Sequence, residues 1–326
     1  MFALSAVAVA AAGVRLARDG HTIAEGTGLG GMWVGAILVA AATSLPELFT
    51  DINAVWQGHP SLAVGDLFGS SMANMMLLGM ADLLTRHTRV LTRVAINQAL
   101  VGTLALCLTL IAGLGIVVGG SVAILALGWA TIAIGAGYVL GMRLIHTNRD
   151  EPPFRAEREV AAQRPRPAVL GPAFAGFGVA ALVIVVAAPY LASSAATLSS
   201  GLGIGDGFGG MVLLALTTSL PEASVSVASV RSGAYALAVG NLLGSNCFNM
   251  AALVPLDLVH GARPILGDVE PALLTGALSA CILMGLAMLD VLNRSERRLW
   301  LLEPGPALIV LVYVAGLYAT YHVAAG

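Results

Sequence analysis

Residues 40–75 recur at 215–250 without a gap, at a constant offset of 175, with 17 of the 36 positions identical. A chain that carries one long stretch twice is constrained to fold as two related halves, because each copy specifies the same local structure and the same buried face. The shared residues are not generic apolar ones. Thr43-Ser44-Leu45-Pro46-Glu47 answers Thr218-Ser219-Leu220-Pro221-Glu222, and Leu62-Ala63-Val64-Gly65 answers Leu237-Ala238-Val239-Gly240. Gly69-Ser70 and Asn74-Met75 answer Gly244-Ser245 and Asn249-Met250. Upstream, Gly26, Gly28, Gly30 and Gly35 fall on Gly201, Gly203, Gly205 and Gly210 at the same offset.

The medium around these halves follows from polarity. Only 10% of the 326 residues are charged, 58% are hydrophobic, and the mean hydropathy is +0.88. A soluble domain carries about 25% charged residues, so most of this surface must meet lipid. The 39 glycines and 14 prolines fit transmembrane helices better than soluble ones. Cys107, Cys247 and Cys281 lie in apolar runs, with neither a disulfide framework nor metal-ligand spacing. No basic cluster has aromatic neighbours for nucleic-acid binding.

Apolar runs of about 20 residues, enough to cross a bilayer, predict ten helices at roughly 2–18, 29–57, 61–84, 94–118, 120–145, 168–192, 207–231, 234–258, 271–293 and 303–323. The N-terminal run lacks a basic flank and has an internal counterpart, so it reads as a retained first helix. The hydrophilic stretch 146–167 divides two blocks, 1–145 and 168–326, and reads as a solvated linker. Five spans per block is an odd number, so the blocks must be inverted relative to each other. The expected fold is an all-α integral membrane protein of ten transmembrane helices in two inverted five-helix repeats, an architecture of transporters. The chain has no lysine. With both termini outside, fifteen of its arginines fall in cytoplasmic loops and only Arg263 falls outside, as the positive-inside rule requires.

The duplicated motif has a chemistry. Proline has no N–H, so Pro46 frees the Ala42 carbonyl and Pro221 frees that of Thr217. Beside each proline is an intramembrane carboxylate, Glu47 or Glu222, which costs several kcal/mol unless compensated. Thr43 and Ser44 precede Glu47 by one turn, as Thr218 and Ser219 precede Glu222. Ser70 and Asn74 share a helix face, and so do Ser245 and Asn249. All are oxygen donors, with no thiol or imidazole among them, and such a set selects calcium, magnesium or sodium. Two carboxylates balance one Ca²⁺, or the sodium ions or protons that replace it.

The segments ATSLPELFTDINAVWQG…LAVGDLFGSSMANM and TTSLPEASVSVASVRSG…LAVGNLLGSNCFNM resemble the two alpha-repeats of the cation/calcium exchanger superfamily, the sodium/calcium exchangers in particular. That resemblance implies an antiporter, not an enzyme, that moves Ca²⁺ against Na⁺ without a cofactor. Glu47 and Glu222 would be the shared carboxylates, with Thr43 and Thr218 nearest them on the cation. Ser44, Ser219, Ser70, Asn74, Ser245 and Asn249 would complete the ring, and the Ala40 and Ala215 carbonyls would serve outer sodium sites. A prokaryotic plasma (inner) membrane is the expected location.

The sequence also departs from the family pattern. Ala42 and Thr217 replace a glycine, the first GSN reads Gly69-Ser70-Ser71, and Asn249 stands where some relatives have Asp. Asp51 stands where the second repeat has Ser226, and Asp66 where it has Asn241, which makes both candidates for the access path. A proton-coupled divalent-cation exchanger of the same fold is the nearest alternative. The remote one is an intramembrane aspartyl protease, from the GxGD pattern Gly203-Ile204-Gly205-Asp206, but a partner aspartate is missing.

Overall fold

The computed structural model describes residues 1–84, 96–119, 123–124, 127–147, 167–201, 217–261, 263–293 and 304–325. Helices take up nearly all of them: α1 (Phe2–Thr27), α2 (Gly31–Trp56), α3 (Pro60–Leu84), α4 (Ile96–Val118) and α5 (Trp129–Thr147). Then come α6 (Pro167–Gly201), α7 (Leu220–Arg231), α8 (Tyr235–His260), α9 (Leu273–Asn293) and α10 (Pro304–Ala325). A two-residue antiparallel pair, β1 (Ala123–Ile124) and β2 (Leu127–Gly128), lies between α4 and α5. Among the described residues, six helices are long and apolar enough to cross a membrane: α2, α3, α4, α6, α8 and α9.

The sequence offset is also an offset in helix boundaries. Trp56 and Arg231 end helices, Pro60 and Tyr235 begin them, Val118 and Asn293 end them, and Trp129 and Pro304 begin them, each pair 175 residues apart. The turns after α2 and α7 are alike in detail. Gly58 and Gly233 have φ of 83° and 79°, a left-handed conformation that glycine adopts without a side-chain clash. Their N–H groups bond to Val55 O at 3.0 Å and Val230 O at 3.1 Å. The next N–H groups, of His59 and Ala234, reach Ala54 O at 2.9 Å and Ser229 O at 2.8 Å. Both are Schellman caps.

Three expected boundaries are corrected. The first helix runs to Thr27 rather than 18, because Arg15 and Asp19 pair along it (Nε to Oδ2, 2.6 Å) and it ends only where Gly28 turns at φ 70°. The sixth runs to Gly201 rather than 192, and its extra turns hold their own polar groups: the Ser193 hydroxyl donates to Tyr190 O at 3.2 Å and the Thr197 hydroxyl to Ser193 O at 2.9 Å. The fifth begins at Trp129 rather than 120, since Gly119 leaves α4 at φ 72° and the β pair precedes the helix. Asp257 of α8 anchors that pair, accepting the Gly128 N–H at 2.8 Å and the Ile265 N–H at 2.6 Å. Residues 148–166, most of the expected linker, lie outside the described residues, as does 207–216 of the seventh expected span.

The packing falls into two sets. One buried cluster joins α1, α2, α6 and α7 through Leu16, Ile23, Val39, Ile184 and Val225. Two larger clusters join α3, α4, α5, α8, α9 and α10, with Met72, Leu78, Phe68, Leu108, Leu253 and Leu283 among their members and Trp33, Ala36 and Val55 of α2 at their edge. The motif helices α2 and α8 cross where the two sets meet. They approach backbone to backbone: a Cβ on Gly240 would lie 2.7 Å from Met32 O, and one on Gly244 would strike the Ala36 backbone. Small residues at a crossing allow such an approach where lipid supplies no hydrophobic drive between helices.

Candidate cation site

Against this crossing α2 departs from regular helix, passing through a π segment at Val34–Val39. Such bulges shift hydrogen-bond partners by one residue and so leave carbonyls for other groups. The Thr43 hydroxyl stands within reach of two of them, Val39 O at 3.1 Å and Ala40 O at 3.2 Å. From Ala40 the helix continues through Pro46 to Trp56. In the second half the helix is interrupted instead at Ser219 (φ −82°, ψ 4°), and Pro221 lies in the first turn of α7, where its missing N–H would have had no partner anyway.

Antiparallel packing of α2 and α3 sets their polar residues opposite one another like rungs. Ser70 faces Glu47, its hydroxyl donating to Glu47 Oε1 at 3.0 Å. The next rung towards the α2–α3 turn pairs positions 51 and 66. In the second half that rung is Ser226 and Asn241, joined by Asn241 Nδ2 to Ser226 Oγ at 3.3 Å. Contacts across the halves then gather the motifs. The Ser44 hydroxyl donates to Glu222 Oε1 at 3.4 Å, so one turn of α2 carries both Glu47 and a donor to Glu222. Thr43 Oγ1 donates to Asn241 Oδ1 at 3.3 Å and lies 3.5 Å from Ser245 Oγ. Asn74 Nδ2 donates to Asn246 Oδ1 at 2.9 Å, and Asn246 Nδ2 donates to Ser71 O at 3.3 Å.

Both glutamates are buried, Glu47 at 5% and Glu222 at 1% exposure. Glu222, Asp66 and Asp51 all lie close enough to Glu47 for their charges to act on it. None of the ion pairs among the described residues reaches these four carboxylates. Several buried polar atoms also have no hydrogen-bond partner: Glu222 Oε2, Asn74 Oδ1, Ser219 Oγ and Asn249 Nδ2. An unpaired polar atom in a dry interior costs about 1–3 kcal/mol. Three of these four are oxygens, the atoms a hard cation needs. No trio of acidic, histidine or cysteine side chains converges in ligating range among the described residues. A cation held here is therefore met by paired carboxylates with hydroxyl, amide and carbonyl oxygens.

The structure thus brings together Glu47, Ser70, Ser44 and Glu222 as one group, and Thr43, Ser245 and Asn241 as an adjoining one. Ser219 and Asn249 are buried and Thr218 is half-buried. The Ala40 carbonyl, expected to face an outer ion, is within reach of the Thr43 hydroxyl. Ala215 lies outside the described residues, as do Gly203 to Asp206. Sequence reasoning missed Asn246, which holds Asn74 by its amide nitrogen and leaves Asn74 Oδ1 unpaired. Its only mark in the sequence is the mismatch with Ser71 at the repeat offset. Asp257 shows that a buried acid need not be a cation ligand, since both its oxygens accept backbone N–H groups.

The family model for the sodium/calcium exchanger protein matches residues 1–118 and 172–322. The chain belongs to that family. Its relatives include the inner membrane protein YrbG of Escherichia coli (strain K12), 30% identical over 242 residues, 73% of this chain and 71% of that protein. The sodium/calcium exchanger MaX1 of Methanosarcina acetivorans is 38% identical over 74 residues, 23% of this chain and 21% of that protein. In three dimensions the chain matches the sodium-calcium exchanger NCX_Mj with a TM-score of 0.74, covering 97% of this chain and 96% of the other at 19% identity, which establishes a shared fold. Family and fold are those of membrane transporters and not of enzymes, and the GxGD alternative falls with that membership.

Proposed function

We propose that the exchanger moves Ca²⁺ in one direction against Na⁺ in the other, by alternating access around a single midplane site between two inverted halves, 1–145 and 168–326, joined by 146–167. The observation that carries this reading is the pair Glu47 and Glu222, one from each half, buried without a basic partner and linked through Ser44. Two such carboxylates in a low-dielectric interior repel each other strongly. A divalent cation cancels both charges, and so do the monovalent ions that replace it, which is the condition for exchange rather than leak. Ser70, Asn74 and Thr43, with Ser245, Asn249, Thr218 and Ser219 from the other half, supply the neutral oxygens that stand in for the ion's water. Asn246 orients Asn74 so that its oxygen, not its nitrogen, faces the ion. The arginine distribution supports an orientation with both termini outside, and a plasma (inner) membrane is the expected location.

The test is ⁴⁵Ca²⁺ uptake into proteoliposomes loaded with sodium. The wild type should accumulate calcium in proportion to the outward sodium gradient, and Glu47→Gln and Glu222→Gln should each abolish uptake while eluting as folded, monodisperse protein. Uptake that follows an imposed pH gradient and ignores sodium would replace Na⁺ by H⁺ as the counter-ion. Uptake that survives both substitutions would falsify the site.

A further inference from the structure

One rung of the ladder differs in charge between the halves. Positions 51 and 66 of the first half correspond to 226 and 241 of the second at the repeat offset. In the second half the pair is neutral and closed by the 3.3 Å hydrogen bond from Asn241 to Ser226. In the first half both positions are aspartate. Asp51 is 2% exposed, and its Oδ2 is buried without any hydrogen-bond partner. The Asp66 charge reaches it, and Asp66 itself is half-buried, opening the pair towards the α2–α3 turn. No arginine among the described residues pairs with either, and the chain has no lysine.

Replacing a Ser–Asn hydrogen bond by two carboxylates at one rung removes a donor and adds two negative charges. Such a rung is relieved by a cation between its oxygens or by a shared proton, and the open approach past Asp66 favours the cation. The neighbouring rung does not supply one: Glu47 is itself acidic and already engages Ser70. We propose that Asp51 and Asp66 form a second site for a hard divalent cation, one helical turn from the Glu47–Glu222 pair and present only in the first half. Four carboxylate oxygens and water entering past half-buried Asp66 make an oxygen shell of the kind calcium accepts. The rung lies on the side of the motif that the arginine distribution assigns to the outside, so a cation held there waits next to the transport site. The corresponding place in the second half has no charge to hold one.

Calcium binding to the purified full-length chain in detergent, counted by equilibrium dialysis with ⁴⁵Ca²⁺, tests this. The double variant Asp51→Ser/Asp66→Asn installs the pair that the second half already hydrogen-bonds, so it is expected to fold. The companion variant Glu47→Gln/Glu222→Gln removes the transport site alone. Two ions per wild-type chain, falling to one in each double variant, is the expected result. One ion in the wild type, kept in Asp51→Ser/Asp66→Asn and lost in Glu47→Gln/Glu222→Gln, overturns this proposal and leaves the transport site standing. One ion with the reverse pattern overturns the transport site and supports the aspartate pair. No binding to the wild type overturns both.

Discussion

In the first half Glu47 rides on a helix that continues from Gly31 through Pro46 to Trp56, and its carboxylate takes a hydroxyl from Ser70 of its own half. In the second half the helix breaks at Ser219, Glu222 lies in the first turn of a new segment, and its donor is Ser44 from the opposite half. The serine that corresponds to Ser70, Ser245, faces Thr43 instead. The serine that corresponds to Ser44, Ser219, is buried without a partner. Identical residues thus occupy two arrangements in one molecule. On the inverted-repeat reading this asymmetry is what access from one side requires, because exchanging the two arrangements would turn the site towards the other side.

The glycines at the same repeat position give the sharpest way to break that comparison. A methyl on Gly244 would collide with the Ala36 backbone, whereas one on Gly69 meets nothing within 4 Å. Gly244→Ala should cost about 3 kcal/mol of stability through overpacking, seen as lost monodisperse protein and a lowered melting temperature. Gly69→Ala should gain about 0.5–1 kcal/mol from helix propensity. Equal behaviour of the two would mean that the halves pack alike.

The prolines come next. Pro46 is interior to a helix and Pro221 lies in a first turn. Restoring an N–H should therefore matter only at the first: Pro46→Ala should stabilise the protein by roughly 2 kcal/mol and slow exchange by straightening α2. Pro221→Ala should leave the melting temperature within a degree or two. Parallel thermal melts and initial uptake rates read both.

The smallest effect separates the serines. Ser70→Ala removes a hydroxyl that orients Glu47 and supplies an oxygen to the ion, worth about 1.5 kcal/mol or a little over tenfold in calcium affinity. Ser245→Ala removes a longer neutral contact and should cost only about two- to threefold. A reversed order in dialysis measurements would show that the arrangement is swapped in the calcium-bound protein.

Much of this was legible before any coordinates. The helix ends expected at 57 and 231 fall within a residue of Trp56 and Arg231, and the matching turn glycines Gly58 and Gly233 emerge only in the structure, although both follow from local sequence copied twice. Helix ends without such local punctuation were misplaced. The extension of α1 to Thr27 includes a buried Asp19 that exposed Arg15 pairs, a charge that hydropathy reads as an interface. The start of α5 depends on Asp257, more than a hundred residues away, capturing Gly128. Asn246 was overlooked because its role is a contact with Asn74 of the other half, and a sequence does not announce which side chains will face one another.

By itself the sequence determined that the chain lives in lipid, that it is built twice, and that each copy carries the same TSLPE glutamate with its hydroxyl and amide neighbours. These are properties of composition, periodicity and self-similarity, which survive in one dimension. Only the tertiary structure decided which neighbour each acid takes, where α2 leaves regular helix, and that Asn241 bonds Ser226 at the positions where the first half carries Asp66 and Asp51. Those outcomes depend on how closely Gly240 and Gly244 let α8 approach α2, and backbone contact across half the chain has no local signature.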